Sequence, residues 1–255
     1  MKNMFDLTNK VAIVTGGNGG IGLGMARGLA SYGATIVVAG RNTDKSAKAV
    51  KELQGLGAKA SSVAVDVKDE ASVKAMVADT VGRYGRLDVL VNNAGINVRK
   101  PPHELSLAEW REVMDTNLTS AFLASHAVYP HMKKGGGGKI VNIGSIMSIF
   151  GARFAPAYAA SKGGIVQFSK VCANAWAKDN IQVNAVLPGW IDTELTRRGR
   201  AEIEGLSERV LARTPAGRWG VPDDLAGIAV FLCSAASDFV TGTAILVDGG
   251  YAISG

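Results

Sequence analysis

The sequence predicts a doubly wound α/β fold: one domain, a seven-stranded parallel sheet, and helices on both faces. Three observations predict it. Short apolar runs alternate with segments of helical spacing along the whole chain. The runs are continuous rather than alternating, as in strands buried on both faces. The first of them ends in a burst of glycine, the mark of a strand-to-helix turn that approaches a ligand. The 255 residues exceed the rough ~150 per domain, but α/β domains often reach that length, and no long linker divides the chain.

The elements follow in order. Val11-Ala12-Ile13-Val14 is the first strand, and Ile21, Met25 and Leu29 then share one helix face that ends near Gly33. Ile36 to Ala39 is the second strand, 43–55 a polar helix, and Ser62 to Val65 the third strand. Residues 70–84 read as a helix, with Gly85 where a C-cap belongs. Leu87 to Val91 is strand four. Ser106-Leu107-Ala108-Glu109 has the spacing of a capping box and opens a helical region to about Lys134. Lys139 to Ile143 is strand five, 155–178 a long helix and Ile181 to Leu187 strand six. A mixed loop precedes Pro222, which suits the first position of a helix over 222–234, and Ala244 to Val247 is the last strand.

Composition narrows the function classes. Hydrophobic residues make up 47% and charged ones 20%, which fits a globular core and excludes disorder. The net charge of +6 is dispersed: the most basic stretch, 190–218, sets six arginines against five acids, so no nucleic-acid partner is expected. Cys172 and Cys233 lie in apolar runs and read as reduced core thiols, and three histidines without ligand spacing imply no metal. Without a signal-peptide stretch or a run of about 18 apolar residues, the expectation is a cytoplasmic protein with no membrane partner.

Thirty-two glycines are in excess, and six of them lie in 16–24. Between strand and helix, such residues let backbone N–H groups meet a pyrophosphate, which makes Gly16, Asn18, Gly20, Ile21 and Gly22 cofactor-binding candidates. Tyr158 and Lys162, four apart on a helix, share a face. A nearby ammonium favours the phenolate and brings a phenol of pKa ~10 toward neutral pH.

With Thr15-Gly-x-x-x-Gly-x-Gly, Asn92-Asn93-Ala94-Gly95, Asn117, Ser145, Tyr158-x-x-x-Lys162 and Pro188-Gly189, the chain resembles the short-chain dehydrogenase/reductases over essentially its whole length. The resemblance implies a Rossmann fold and a hydride transfer between a nicotinamide cofactor and a secondary alcohol or ketone. It implies that Tyr158 is the acid/base, that Lys162 lowers its pKa and bonds the nicotinamide ribose, and that Ser145 holds the substrate oxygen. Ser145 is preferred over Ser148 because it precedes Tyr158 by 13 residues, the family spacing. Asn117 would hold a relay water. Asp66 and Val67 would edge the adenine pocket, and Asn93, Ala94 and Gly95 would line the cofactor's path. Pro188, Gly189, Ile191 and Thr193 would hold the nicotinamide amide, and the family expectation is a homotetramer.

NAD-preferring members usually end strand two on an acidic residue; here Gly40 and Arg41 stand there, which points to NADP(H), with NAD(H) as the alternative cofactor. The loop Ile96 to Pro101 and a lid at about 190–217 would frame the substrate. The stretches Gly95–Trp110 and Thr214–Gly220 look like the gluconate 5-dehydrogenase and 2-deoxygluconate 3-dehydrogenase branch, which makes Arg99 a candidate for a sugar-acid carboxylate. Two other readings stay open: a 3-oxoacyl-(acyl-carrier-protein)-type or general ketone reductase, and a cofactor-binding sensor without chemistry. The presence of Asn117, Ser145, Tyr158 and Lys162 together favours an enzyme with a small carbonyl or alcohol substrate.

Overall fold

The strands carry the fold because both of their faces are apolar. The computed structural model describes residues 3–254. Seven parallel strands, β1 Val11–Thr15, β2 Thr35–Ala39, β3 Ala60–Val63, β4 Val89–Asn92, β5 Gly138–Ile143, β6 Ile181–Pro188 and β7 Ala244–Val247, lie in the order β3-β2-β1-β4-β5-β6-β7. Side chains alternate between two apolar layers. Ala12, Val14, Ile36 and Val38 pack on Met25 and Leu29 of α1 (Gly20–Ser31) and on Leu232 of α9 (Ala226–Cys233). Val11, Ile13, Val37 and Leu90 pack on Met76 of α3 (Glu70–Tyr84) and on Val128 and Met132 of α5 (Ser120–Lys134). Each such buried Leu, Ile or Met contributes about 1.5–3 kcal/mol, enough to outweigh the modest propensities of the helices that cover the sheet.

Local signals set most helix ends. Asp69 caps α3 by accepting from Ala71 N at 2.9 Å, and Gly85 ends it at φ 72. Asn42 accepts from Lys45 N at 2.8 Å and starts α2 (Thr43–Gly55). Ser106 and Glu109 form the expected capping box of α4 (Leu107–Met114). Pro156 opens α6 (Pro156–Trp176) at a position where its missing N–H costs nothing.

Four boundaries differ from the sequence expectation. The third strand is Ala60–Val63 rather than Ser62–Val65, because β2 pairs Ile36 with Ala60. The helical region after Ser106 is broken by a π-helical turn, Asp115–Thr119, which turns Asn117 inward. The mixed loop contains two helices, α7 (Glu194–Glu202) and α8 (Leu206–Arg213). Pro222 starts a short 3-10 turn, Pro222–Leu225, and only then does α9 begin.

Polar groups lock the amino-terminal ends of the strands. Asp88 accepts from Val11 N at 3.0 Å and from Arg86 at 2.8 and 2.6 Å, and pairs with Lys10 at 3.3 Å. Burial pushes this carboxyl up, but Arg86, the Val11 N–H and Lys10 outweigh it and hold the pKa below the usual aspartate value. A depressed carboxylate stabilises the fold above its unfolded pKa of ~3.9 and loses that contribution as pH falls through the folded value. Asp88→Asn is therefore expected to cost about 1–3 kcal/mol at pH 7, with the difference from wild type closing below about pH 4 in urea melts.

Cys172 and Cys233 are buried free thiols, pushed up by burial to about 11 and about 12 respectively. Among the described residues no helix is long and apolar enough to cross a membrane.

Candidate active site

The strand order reverses direction between β1 and β4, and there the carboxyl ends of the strands open a crevice. Gly16 and Gly20 take φ values of +62 and +53, a backbone that favours glycine. A Cβ on Gly16 would stand 2.9 Å from Asn93 Nδ2, and one on Gly22 only 2.5 Å from that atom and from Gly16 O. Gly19 precedes α1 without a side chain to cap it, so the first-turn N–H groups are left for a ligand. Asn93 Nδ2 braces the turn by donating to Thr15 O at 3.0 Å and Gly16 O at 3.1 Å. Behind it, Asn92 donates to Asn142 Oδ1 at 2.8 Å and Asn142 to Ser169 Oγ at 2.9 Å, which ties β4 through β5 to α6.

A cavity of about 410 Å³ runs from this cradle to α6, within the range of small-ligand sites. Its wall includes Gly16, Asn18, Gly20, Ile21, Asn93, Ala94, Gly95, Ser145, Tyr158, Lys162, Pro188, Gly189, Ile191 and Thr193. Asn117 stands just behind: it accepts from Ile96 N at 2.8 Å and donates to Ile96 O at 2.9 Å and Ser161 Oγ at 3.1 Å. Ser145 Oγ accepts from Met147 N at 3.1 Å, and Ser145 and Tyr158 face the same cavity. Ser148, by contrast, donates to Lys162 O at 2.6 Å and so braces α6.

Lys162 is buried, donates from Nζ to Ile143 O at 2.7 Å and lies 5.6 Å from the centre of the Tyr158 ring. Burial lowers its pKa to about 8, so it gives up a proton far more readily than a solvated lysine. The Tyr158 hydroxyl departs from the expected depression. Burial pushes it up, and the groups pulling it back are Ser145 and the charge of Arg99, while the Lys162 ammonium is turned to Ile143 O.

Several sequence candidates lie off the cavity wall. Gly22 packs beneath the cradle against Gly16 O. Arg41 is exposed just after β2, and Asp66 and Val67 follow β3 outside the cavity wall. Arg99 donates to Leu195 O at 2.9 Å and to Glu202 at 3.1 Å, so its guanidinium faces α7 instead of the cavity. The structure adds Lys45, which the sequence did not single out, and picks particular wall residues from the two segments expected to frame the substrate. Lys45 reaches across the mouth to Glu194 at 3.2 Å, and Asn97, Leu195 and Thr196 face the same space. Lys45 had one available signal, its place in the first turn of the helix that follows Arg41. Asn97 belongs to the Ile96–Pro101 loop that was expected to frame the substrate.

A family model described as enoyl-(acyl carrier protein) reductase matches residues 16–252. The chain is 43% identical over 250 residues to a 2-dehydro-3-deoxy-D-gluconate 5-dehydrogenase of Dickeya dadantii (strain 3937), covering 98% of each chain. It is 41% identical to a gluconate 5-dehydrogenase of Gluconobacter oxydans (strain 621H), covering 99% of this chain and 98% of that one. Among solved structures it resembles a gluconate 5-dehydrogenase from Burkholderia cenocepacia J2315 in complex with NADP and tartrate. The TM-score is 0.94 at 40% identity, over 99% of this chain and 98% of that one.

Proposed function

The chain belongs to the short-chain dehydrogenase/reductase family, and from that premise we propose that it interconverts a keto and a hydroxy sugar acid of the gluconate type with NADP(H). It is an oxidoreductase acting on CH–OH and C=O groups. The observation that carries the reading is the meeting, in one cavity, of a side-chain-free phosphate cradle with Ser145, Tyr158 and Lys162. The residues fit a dinucleotide: Gly16, Gly19 and Gly20 line the cavity without side chains, and the uncapped first turn of α1 leaves its N–H groups for a pyrophosphate. When bound, the nicotinamide supplies or accepts the hydride.

The chain's own groups manage the proton and the charge. In reduction, the Tyr158 hydroxyl gives its proton to the carbonyl oxygen as negative charge develops there, and the Ser145 hydroxyl donates a second hydrogen bond to that oxygen. Lys162, at about 8, is placed one turn away to return a proton toward Tyr158. Asn117 fixes the Ile96 backbone from both sides and keeps the far wall in register. Residues 190–217, with α7 and α8, form the lid; Arg99 holds that lid through Glu202 and Leu195 O.

Arg41 holds the 2′-phosphate of the cofactor's adenosine ribose, with no carboxylate at Gly40 to repel it. Arg41→Asp is expected to lower kcat/KM with NADPH by about tenfold or more and to raise it with NADH. Unchanged cofactor preference would remove Arg41 from this role.

The reading as a whole is tested by following NADPH absorbance with 5-keto-D-gluconate, deoxygluconate-type ketoacids, acetoacetyl thioesters and a plain cyclic ketone. The sugar-acid substrate should give the highest kcat/KM, and faster reduction of the thioester would overturn it. Exposed Phe122 on α5 (51%) and Val171 on α6 (67%) support a homotetramer that covers this face, which sedimentation velocity would read as four chains. The buried free thiols suit work in the cytoplasm.

A further inference from the structure

Asn97 stands in the cavity wall on the loop after β4. On one side, the neighbouring Ile96 backbone is pinned by Asn117 through both its N–H and its carbonyl. On the other, Arg99 fixes the loop to α7, and its charge reaches Tyr158. The loop is thus held on both sides of Asn97 and lies beside the proposed reacting centre.

The Asn97 carboxamide is the exception to this bonding. Its Oδ1 is buried and, among the described residues, finds no hydrogen-bond donor. Folding normally pairs such an acceptor, because burying it alone costs stability. Asn97 itself lines the cavity, so a ligand hydroxyl that reaches this side chain meets an acceptor with no competing donor among the described residues.

We propose that Asn97 is a specificity-determining residue whose carboxamide oxygen accepts a hydrogen bond from a hydroxyl of a polyhydroxylated substrate held before Tyr158. This rests on the sugar-acid reading and sharpens it. A plain ketone carries no donor and leaves Oδ1 unpaired, whereas a hydroxylated one repays its burial. A site built to bond a hydroxyl discriminates against an analogue lacking it more strongly than an apolar pocket can.

The test compares 5-keto-D-gluconate with cyclohexanone in the wild type and in Asn97→Leu, which keeps the volume and removes the acceptor. The ratio of kcat/KM between the two substrates should fall about tenfold, mainly through KM for the hydroxylated one. Calorimetric binding of D-gluconate to protein saturated with NADP should weaken in parallel, while NADPH fluorescence titration confirms the cofactor site. Asn97→Ala gives the same readouts if the Leu variant folds poorly. Equal losses on both ketones would assign Asn97 a structural role and overturn the proposal. So would a wild-type-like ratio in a protein that reduces 5-keto-D-gluconate. A wild type that reduces cyclohexanone and no sugar acid would overturn the sugar-acid reading itself, and the inference with it.

Discussion

Tyr158→Phe is expected to lower turnover by about 10²–10⁴-fold while leaving the affinity for NADPH within about twofold. The substitution removes one oxygen and almost no volume, so the packing of α6 survives. What disappears is the hydroxyl proposed above to pass its proton to the substrate oxygen. Ser145 remains and still polarises the carbonyl, which sets a floor under the residual rate. Steady-state kinetics with NADPH and 5-keto-D-gluconate, together with a fluorescence titration of the cofactor, separate the two effects. Turnover within a few-fold of wild type would refute the acid/base role.

Gly22→Ala should damage binding where Tyr158→Phe damages chemistry. The added methyl would meet Asn93 Nδ2 and Gly16 O at 2.5 Å, and these two atoms are already bonded to each other at 3.1 Å. Neither can yield without opening the phosphate turn. The expected cost is about 1–3 kcal/mol of stability, with NADPH affinity falling by about tenfold or more. Gly82→Ala is the matched control: it sits exposed within α3 with nothing within 4 Å of the new methyl. There the helix should gain up to about 1 kcal/mol. Thermal melts and cofactor titration of the two variants give the contrast, and a Gly22→Ala protein that binds NADPH normally would contradict the cradle.

The strands were legible because burial on both faces writes itself as continuous apolar runs. The exception teaches the most: Ala60-Ser61-Ser62-Val63 pairs with β2 although Ser62-Val63-Ala64-Val65 is the more apolar window. At a sheet edge the register set by neighbouring hydrogen bonds outweighs local hydropathy. Helix α7 was illegible for a different reason. Its sequence, Glu194 to Glu202, has no apolar stripe, and it is held by pairs such as Arg198–Glu194 and Arg197–Asp192. Such local pairs add only about 0.2–0.5 kcal/mol each and do not mark a helix without an apolar stripe. The π turn that aims Asn117 at Ile96 likewise has no propensity signal.

The candidate site was legible where residues sit at fixed spacing on one element, as Tyr158 and Lys162 do on α6. It was illegible where the wall is made by distant segments, as with Lys45 and Glu194. Sequence alone did not reveal the full electrostatic setting. It paired Lys162 with Tyr158; the fold adds a bond from Lys162 Nζ to Ile143 O and a burial that raises the tyrosine and lowers the lysine.

The Asp88 lock has a counterpart in Lys139, which pairs with Asp238 at 2.8 Å at the start of β5. Both lie at the strand ends opposite the cavity. The molecule is thereby polarised into a holding end and a working end, joined by strands only four to eight residues long. Anchoring the protein to a surface through the holding end would leave the cavity mouth facing outward, and the two ends can be altered under separate constraints.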